Sequence, residues 1–151
     1  MTTKRERARS AGPQLAELIG KAELQDVTFL ELHAVREGIE ETSQVEPAEG
    51  PNMKVWYRAE GGQIQVRCRL DLHTLEAHFV ADAVADFSIA GDVPSEESTQ
   101  AGFTQRIGVA VIYPYLRESV HGLAQKIGVE PPMLSLIAQA LNKLQPMTSD
   151  S

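Results

Sequence analysis

From Gln63 to His73 the chain alternates without a break. Ile64, Val66, Cys68, Leu70 and Leu72 fall on one side, and Gln63, Gln65, Arg67, Arg69, Asp71 and His73 on the other. Side chains on a strand point to opposite faces in turn, so this run is a strand with one buried and one wet face, as in an antiparallel sheet. The phase flips near His73-Thr74, which places a turn there. A further strand is expected over 75–90, with Leu75, Ala77, Phe79, Ala81, Ala83, Ala85, Phe87 and Ile89 inward. Glu76, His78, Asp82, Asp86 and Ser88 then share a solvated face. The small alanines leave room for a helix or another sheet to approach closely.

Upstream, Met53, Val55 and Tyr57 mark a strand over 53–59, and Gly61-Gly62 marks the turn that follows it. Residues 26–37 read as extended, with Val27 and Phe29 inward. The apolar set then slips by one position to Leu30, Leu32 and Ala34, which suggests a bulge or bend. The acidic segment 38–52 reads as a loop. Residues 1–12 read as a polar tail carrying the basic Lys4, Arg5, Arg7 and Arg9, and 13–22 as a short helix with Pro13 in its first turn.

Downstream, Gly91 ends the last strand, and Ser95 followed by Glu96 and Glu97 suits a helix N-terminus. Phe103, Ile107, Ala110 and Val111 keep helical spacing. Pro114 is expected to kink the helix, because proline lacks a backbone donor. Leu116, Val120, Leu123 and Ile127 continue the stripe to a C-capping Gly128. After Pro131-Pro132, the residues Met133, Leu134, Ile137, Leu141 and Leu144 recur at helical spacing.

The fold class expected is therefore α+β: a four-stranded antiparallel sheet followed by a kinked long helix and a shorter C-terminal helix. The expected organisation is an N-terminal tail over 1–22, one domain over 23–145 and a loose tail over 146–151.

With 151 residues, 42% of them apolar, the chain is long enough to bury a core. Its net charge of -7 disfavours nucleic acid and anionic membranes as partners. A single cysteine, no apolar leader and no membrane-length apolar run suit the cytoplasm.

No phosphate-binding or nucleophile-elbow motif is present. Cys68 lies in the apolar register, where desolvation dulls a thiol. His73 and His78 flank a turn, with Asp71 or Glu76 as a third ligand if they held a metal. Ordinary surface histidines are the expectation, with no metal. Asp82 and Asp86 sit on a face that reads as wet, which is unsuited to acid–base chemistry. Neither an enzyme nor a cofactor is expected.

Two segments carry a family likeness. Phe87-Ser88-Ile89-Ala90-Gly91 closes the last strand, and Tyr113-Pro114-Tyr115-Leu116-Arg117-Glu118 lies in the helix. In this order and spacing they resemble the F-S-I-A-G and F-P-Y-x-R-E segments of SecB, the bacterial protein-export chaperone. Gly128-Val129-Glu130-Pro131-Pro132-Met133-Leu134 is similar to that family's crossover loop, and Gln25-Asp26-Val27-Thr28-Phe29 to its K-D-I-S-F. The chain departs from the pattern in lacking A-P-V-N-F before the last helix, in its extra residues 1–22 and in its C-terminal tail. The second acidic position of the first strand falls on Leu30, beside Glu31.

The resemblance implies a non-enzymatic holding chaperone for unfolded preproteins, assembled as a homotetramer, a dimer of dimers. It also implies client contacts from Val129, Met133, Leu134, Leu136, Ile137 and Leu141, with plain core packing as the alternative for each. Asp26 matches a residue that docks the export motor SecA, whereas the tail does not match. Some SecB-like proteins serve toxin–antitoxin pairs instead, so a chaperone dedicated to one partner such as an antitoxin is the alternative.

Overall fold

The computed structural model describes residues 4–37, 51–134 and 147–148. Its elements are α1 (Lys4–Lys21), β1 (Ala22–Arg36), β2 (Asn52–Glu60), β3 (Gln63–His73), β4 (Ala77–Ile89), α2 (Glu97–Phe103), a π-helical turn (Thr104–Gly108), α3 (Val109–Ile127) and β5 (Met147–Thr148). The strands form one sheet in the order β1-β4-β3-β2-β5. The first four are antiparallel to their neighbours, as the alternation requires. Met147–Thr148, placed in a loose tail by the sequence, adds a short fifth strand parallel to Trp56 and Tyr57.

The β3–β4 turn differs from the expectation in one residue. Leu75 is not on the inner face but 82% exposed. The Thr74 hydroxyl accepts hydrogen bonds from the Glu76 and Ala77 N–H groups, at 3.3 and 3.1 Å. The turn therefore holds Leu75 at its tip, and inward alternation begins only at Ala77. The β2–β3 turn needs glycine at Gly61, whose φ is +59°.

The slip in β1 is present, and it occurs twice. Register breaks lie between Leu24 and Asp26 and between Phe29 and Glu31. Each inserts one extra residue, Gln25 and then Leu30, so the inner set runs Leu24, Val27, Phe29, Leu32 and Ala34. A bulge of this kind re-aims the residues that follow it. Here it puts Glu31 opposite Asp82, where an unbroken register would have put Leu30.

The helices cover one face of the sheet. Val109, Ile112, Tyr113, Leu116, Val120 and Ala124 of α3 are buried with the inner residues of β2, β3 and β4. Gly108 makes the close approach possible: a Cβ there would lie 2.6 Å from Val66 Cγ2. Phe103 meets Phe87 edge-to-face at 5.2 Å. The helix does not break at Pro114, because that residue is exposed while its neighbours Ile112, Tyr113 and Leu116 hold the helix to the sheet. The irregular turn comes earlier, at Thr104–Gly108. Gly128, at φ +71°, ends α3 as expected.

Helix α1 starts well before Pro13 and runs directly into β1. Leu15 and Leu18 are buried. The Thr99 hydroxyl donates to Gln14 Oε1 at 3.3 Å, which ties α1 to α2.

Candidate functional site

Once α3 is seated, apolar surface remains uncovered by the other described residues along its junction with β1. Phe29 and Leu32 from β1 and Tyr115, Ser119, Gly122 and Leu123 from α3 line an open groove of about 330 Å³, together with Glu118 and Lys126. Tyr115 and Leu123 share a helical face two turns apart, and Leu32 faces the groove because the Leu30 bulge sets its phase. Leu24, Leu30, Leu32 and Val35 leave a further apolar margin on β1, the outermost strand of the sheet. Sequence reasoning did not single out this groove. Its signal was split between a strand slip and two residues of the Tyr-Pro-Tyr helix.

The second candidate surface is the segment after α3. Val129 is buried, and its N–H donates to the Ala124 carbonyl at 3.0 Å. The Glu130 N–H donates to Glu76 Oε2 at 3.3 Å, which seats the segment against the β3–β4 turn. Met133 is 99% exposed, and Leu134 is half-buried against the core. Leu136, Ile137 and Leu141, and with them the expected C-terminal helix, lie outside the described residues. Asp26 is exposed on β1 beside the first bulge. Its carboxylate accepts from the Val27 N–H at 2.9 Å and from the Thr28 hydroxyl at 3.1 Å.

The outer face of the sheet is less wet than its sequence suggested. Asp82 is buried, because two arginines fold over it. Arg67 donates to both its oxygens and Arg69 to one, and Arg69 also bonds Glu31. Hydrogen bonds to Asp82 and Glu31 hold the Arg67 and Arg69 guanidiniums, respectively, above their ordinary pKa range. Asp86 behaves as expected of a surface carboxylate, accepting from Gln65.

Burial pushes the Cys68 thiol up to about 12, so it is not a nucleophile near neutral pH. His73 and His78 stack at 3.8 Å, and His78 Nε2 lies 2.9 Å from Asp71 Oδ1. The carboxylate grouped with these imidazoles is Glu37, at the end of β1, rather than Glu76. One donor atom from each of Glu37, His73 and His78 lies within 4.8 Å of the others.

The SecB-like chaperone SmegB of Mycolicibacterium smegmatis is 31% identical over 123 residues, covering 80% of this chain and 79% of the relative. The chain belongs to the SecB-like chaperone family. No family model matches it. The SecB-like fold is seen again in the Mycobacterium tuberculosis SecB-like chaperone Rv1957, solved in complex with a ChAD peptide from the HigA1 antitoxin. That structure aligns with a TM-score of 0.69 at 19% identity, over 84% of this chain and 98% of the other. A Streptococcus agalactiae protein of unknown function shares the architecture at a TM-score of 0.61 and 10% identity, over 76% and 97% of the two chains. The SecB-like resemblance carried by Phe87–Gly91 and Tyr113–Glu118 is thus matched by relatedness across most of the chain. Among the described residues, no helix of this SecB-like protein is long and apolar enough to cross a membrane.

Proposed function

We propose that this SecB-like chaperone holds an unfolded stretch of a client protein against apolar surface at the β1–α3 groove and along residues 129–141. The observation that carries this reading is the groove between Phe29, Leu32, Tyr115 and Leu123, an open apolar surface lined by Tyr115 of the Tyr-Pro-Tyr segment. Holding a chain requires no bond to be made or broken. It needs apolar area and adaptable side chains, and an exposed methionine such as Met133 suits varied clients. Each contact is weak once the client's lost entropy is counted, and several sites on one assembly raise the total affinity. A homotetramer, a cytoplasmic location and the absence of catalysis and of a cofactor belong to this reading. Val129 anchors the segment, while Met133, Leu134, Leu136, Ile137 and Leu141 contact the client.

A dedicated antitoxin client is the second reading. It is supported by the antitoxin peptide held by the Mycobacterium tuberculosis relative of the same fold. Preprotein holding with docking of SecA at Asp26 is the export form of the first reading.

The test is dilution of chemically unfolded protein into buffer containing the chaperone, without nucleotide, followed by light scattering. Suppression at about one assembly per client supports general holding. Unchecked aggregation of generic clients alongside rescue of one antitoxin supports the dedicated reading. Failure with both sinks the proposal.

A further inference from the structure

We infer that Glu37, His73 and His78 form a binding site for a zinc ion, at the corner where β1 ends beside the β3–β4 turn. The three residues come from different parts of the chain. His73 and His78 are direct cross-strand partners at the ends of β3 and β4. Glu37 follows β1, and its N–H donates to the Glu76 carbonyl at 2.8 Å, which fixes it beside the turn. Two imidazoles and one carboxylate make a zinc donor set that leaves a fourth position open.

The protonation pattern favours a ligand role. Asp71 can only accept, so His78 Nε2 must carry the proton in their 2.9 Å hydrogen bond. The lone pair of neutral His78 is then on Nδ1. A carboxylate that orients a histidine in this way is the usual support behind a metal ligand, since it fixes the tautomer and raises the basicity of the free nitrogen. His73 Nε2 lies 3.7 Å from the same Asp71 oxygen. Its Nδ1 is buried and has no hydrogen-bond partner among the described residues. A buried ring nitrogen without a partner is uncommon and calls for an explanation. A metal ion supplies one.

The rings are stacked with their planes 6° apart. Donors within 4.8 Å must close to about 3.3 Å around a tetrahedral zinc ion with bonds of about 2.0 Å. The closure asked of the side chains is about 1.5 Å, and all three residues are only partly buried. The bound ion would clamp the end of β1 to the turn against which Glu130 is seated. The site stands independently of client binding.

The full chain, stripped with a chelator and returned to buffer, is titrated with zinc chloride by calorimetry, and its thermal midpoint is followed in parallel. One zinc ion per chain with a raised midpoint is expected, with no response to magnesium. His73→Ala and His78→Ala should each weaken binding about 100-fold or more, and Asp71→Asn, the positioning residue, by about 10- to 100-fold. His121→Ala should leave the affinity unchanged. Absence of zinc binding by the folded chain overturns the inference, as does binding that survives His73→Ala together with His78→Ala. Should those variants not fold, Glu37→Gln decides: wild-type affinity in that variant also overturns the site.

Discussion

Arg67 grips Asp82 with both arms of its guanidinium, Nε at 3.0 Å and Nη2 at 2.7 Å, although Asp82 is only 1% exposed on the outer face of the sheet. The pair belongs to a chain of contacts that crosses four strands. Arg67 lies over the Trp56 ring of β2 at 4.7 Å. Arg69 reaches Asp82 at 3.2 Å and Glu31 of β1 at 2.6 Å. The face opposite the helices is therefore laced together by charge.

The two arginines should prove redundant singly and essential together. Removing one leaves the buried carboxylate with the other. Removing both leaves it with no cation, which is the costly case for a buried charge. Arg67→Ala and Arg69→Ala should each cost about 1 kcal/mol, and the double variant more than their sum by about 1–2 kcal/mol. Urea unfolding of the four proteins measures this; simple additivity would contradict the shared role of Asp82.

Gly108→Ala should destabilise, against the ordinary helix trend. Alanine is normally better than glycine inside a helix by about 1 kcal/mol. Here the added methyl meets Val66 Cγ2 at 2.6 Å, and overpacking of this kind costs about 1–3 kcal/mol. The clash outweighs the propensity. Val66→Ala in the same chain should recover part of the loss, and denaturation midpoints of the single and double variants check the sign.

Stability should fall in alkali through Cys68. Its thiol ionises at about 12 in the folded chain, raised by burial from an ordinary value of 9.0. Above that ordinary value the unfolded chain releases a proton that the folded chain retains. The stabilisation is whole below pH 9 and is lost as pH rises towards 12, at up to about 1.4 kcal/mol per pH unit. Cys68→Ala should flatten the slope of the unfolding free energy between pH 9 and pH 11, and an unaltered slope would count against it. At pH 8 the native thiol should resist alkylation and react only once the chain unfolds.

Charge placed on the groove or on the segment after α3 should damage holding and spare the fold. Leu32, Tyr115 and Met133 are exposed, so Leu32→Asp, Tyr115→Asp and Met133→Asp should each shift stability by about 0.5 kcal/mol or less. Suppression of client aggregation should fall several-fold. Full suppression by all three variants would move the client surface elsewhere.

The strands were legible because their alternation is nearly perfect. Gln63–His73 has the bounds its pattern implied, and the double apolar set of β1 announced a bulge. What escaped were features set by partners distant in sequence. Asp82 alternates like any surface carboxylate, and nothing local shows that Arg67 and Arg69 fold over it. Leu75 has the right parity for the core, but the Thr74 hydroxyl closes a turn first. Pro114 lacks a donor as expected, yet α3 continues through it while its neighbours stay packed on the sheet. The β1–α3 groove was missed for the same reason, since its residues lie more than eighty positions apart.

Among the described residues, strand β1 leaves a long row of backbone donors and acceptors without a neighbour on its outer side. A flat strand of that length would template the open-ended growth of a fibril. The extra residues Gln25 and Leu30 interrupt the repeat twice, so an incoming strand can match it only in a register that respects both interruptions. At the opposite side of the sheet, Met147–Thr148 already occupies the middle of β2. Open-ended strand addition is thus hindered at both edges, by broken register on β1 and by an occupied ladder on β2, a property suited to a protein that spends its time beside unfolded chains.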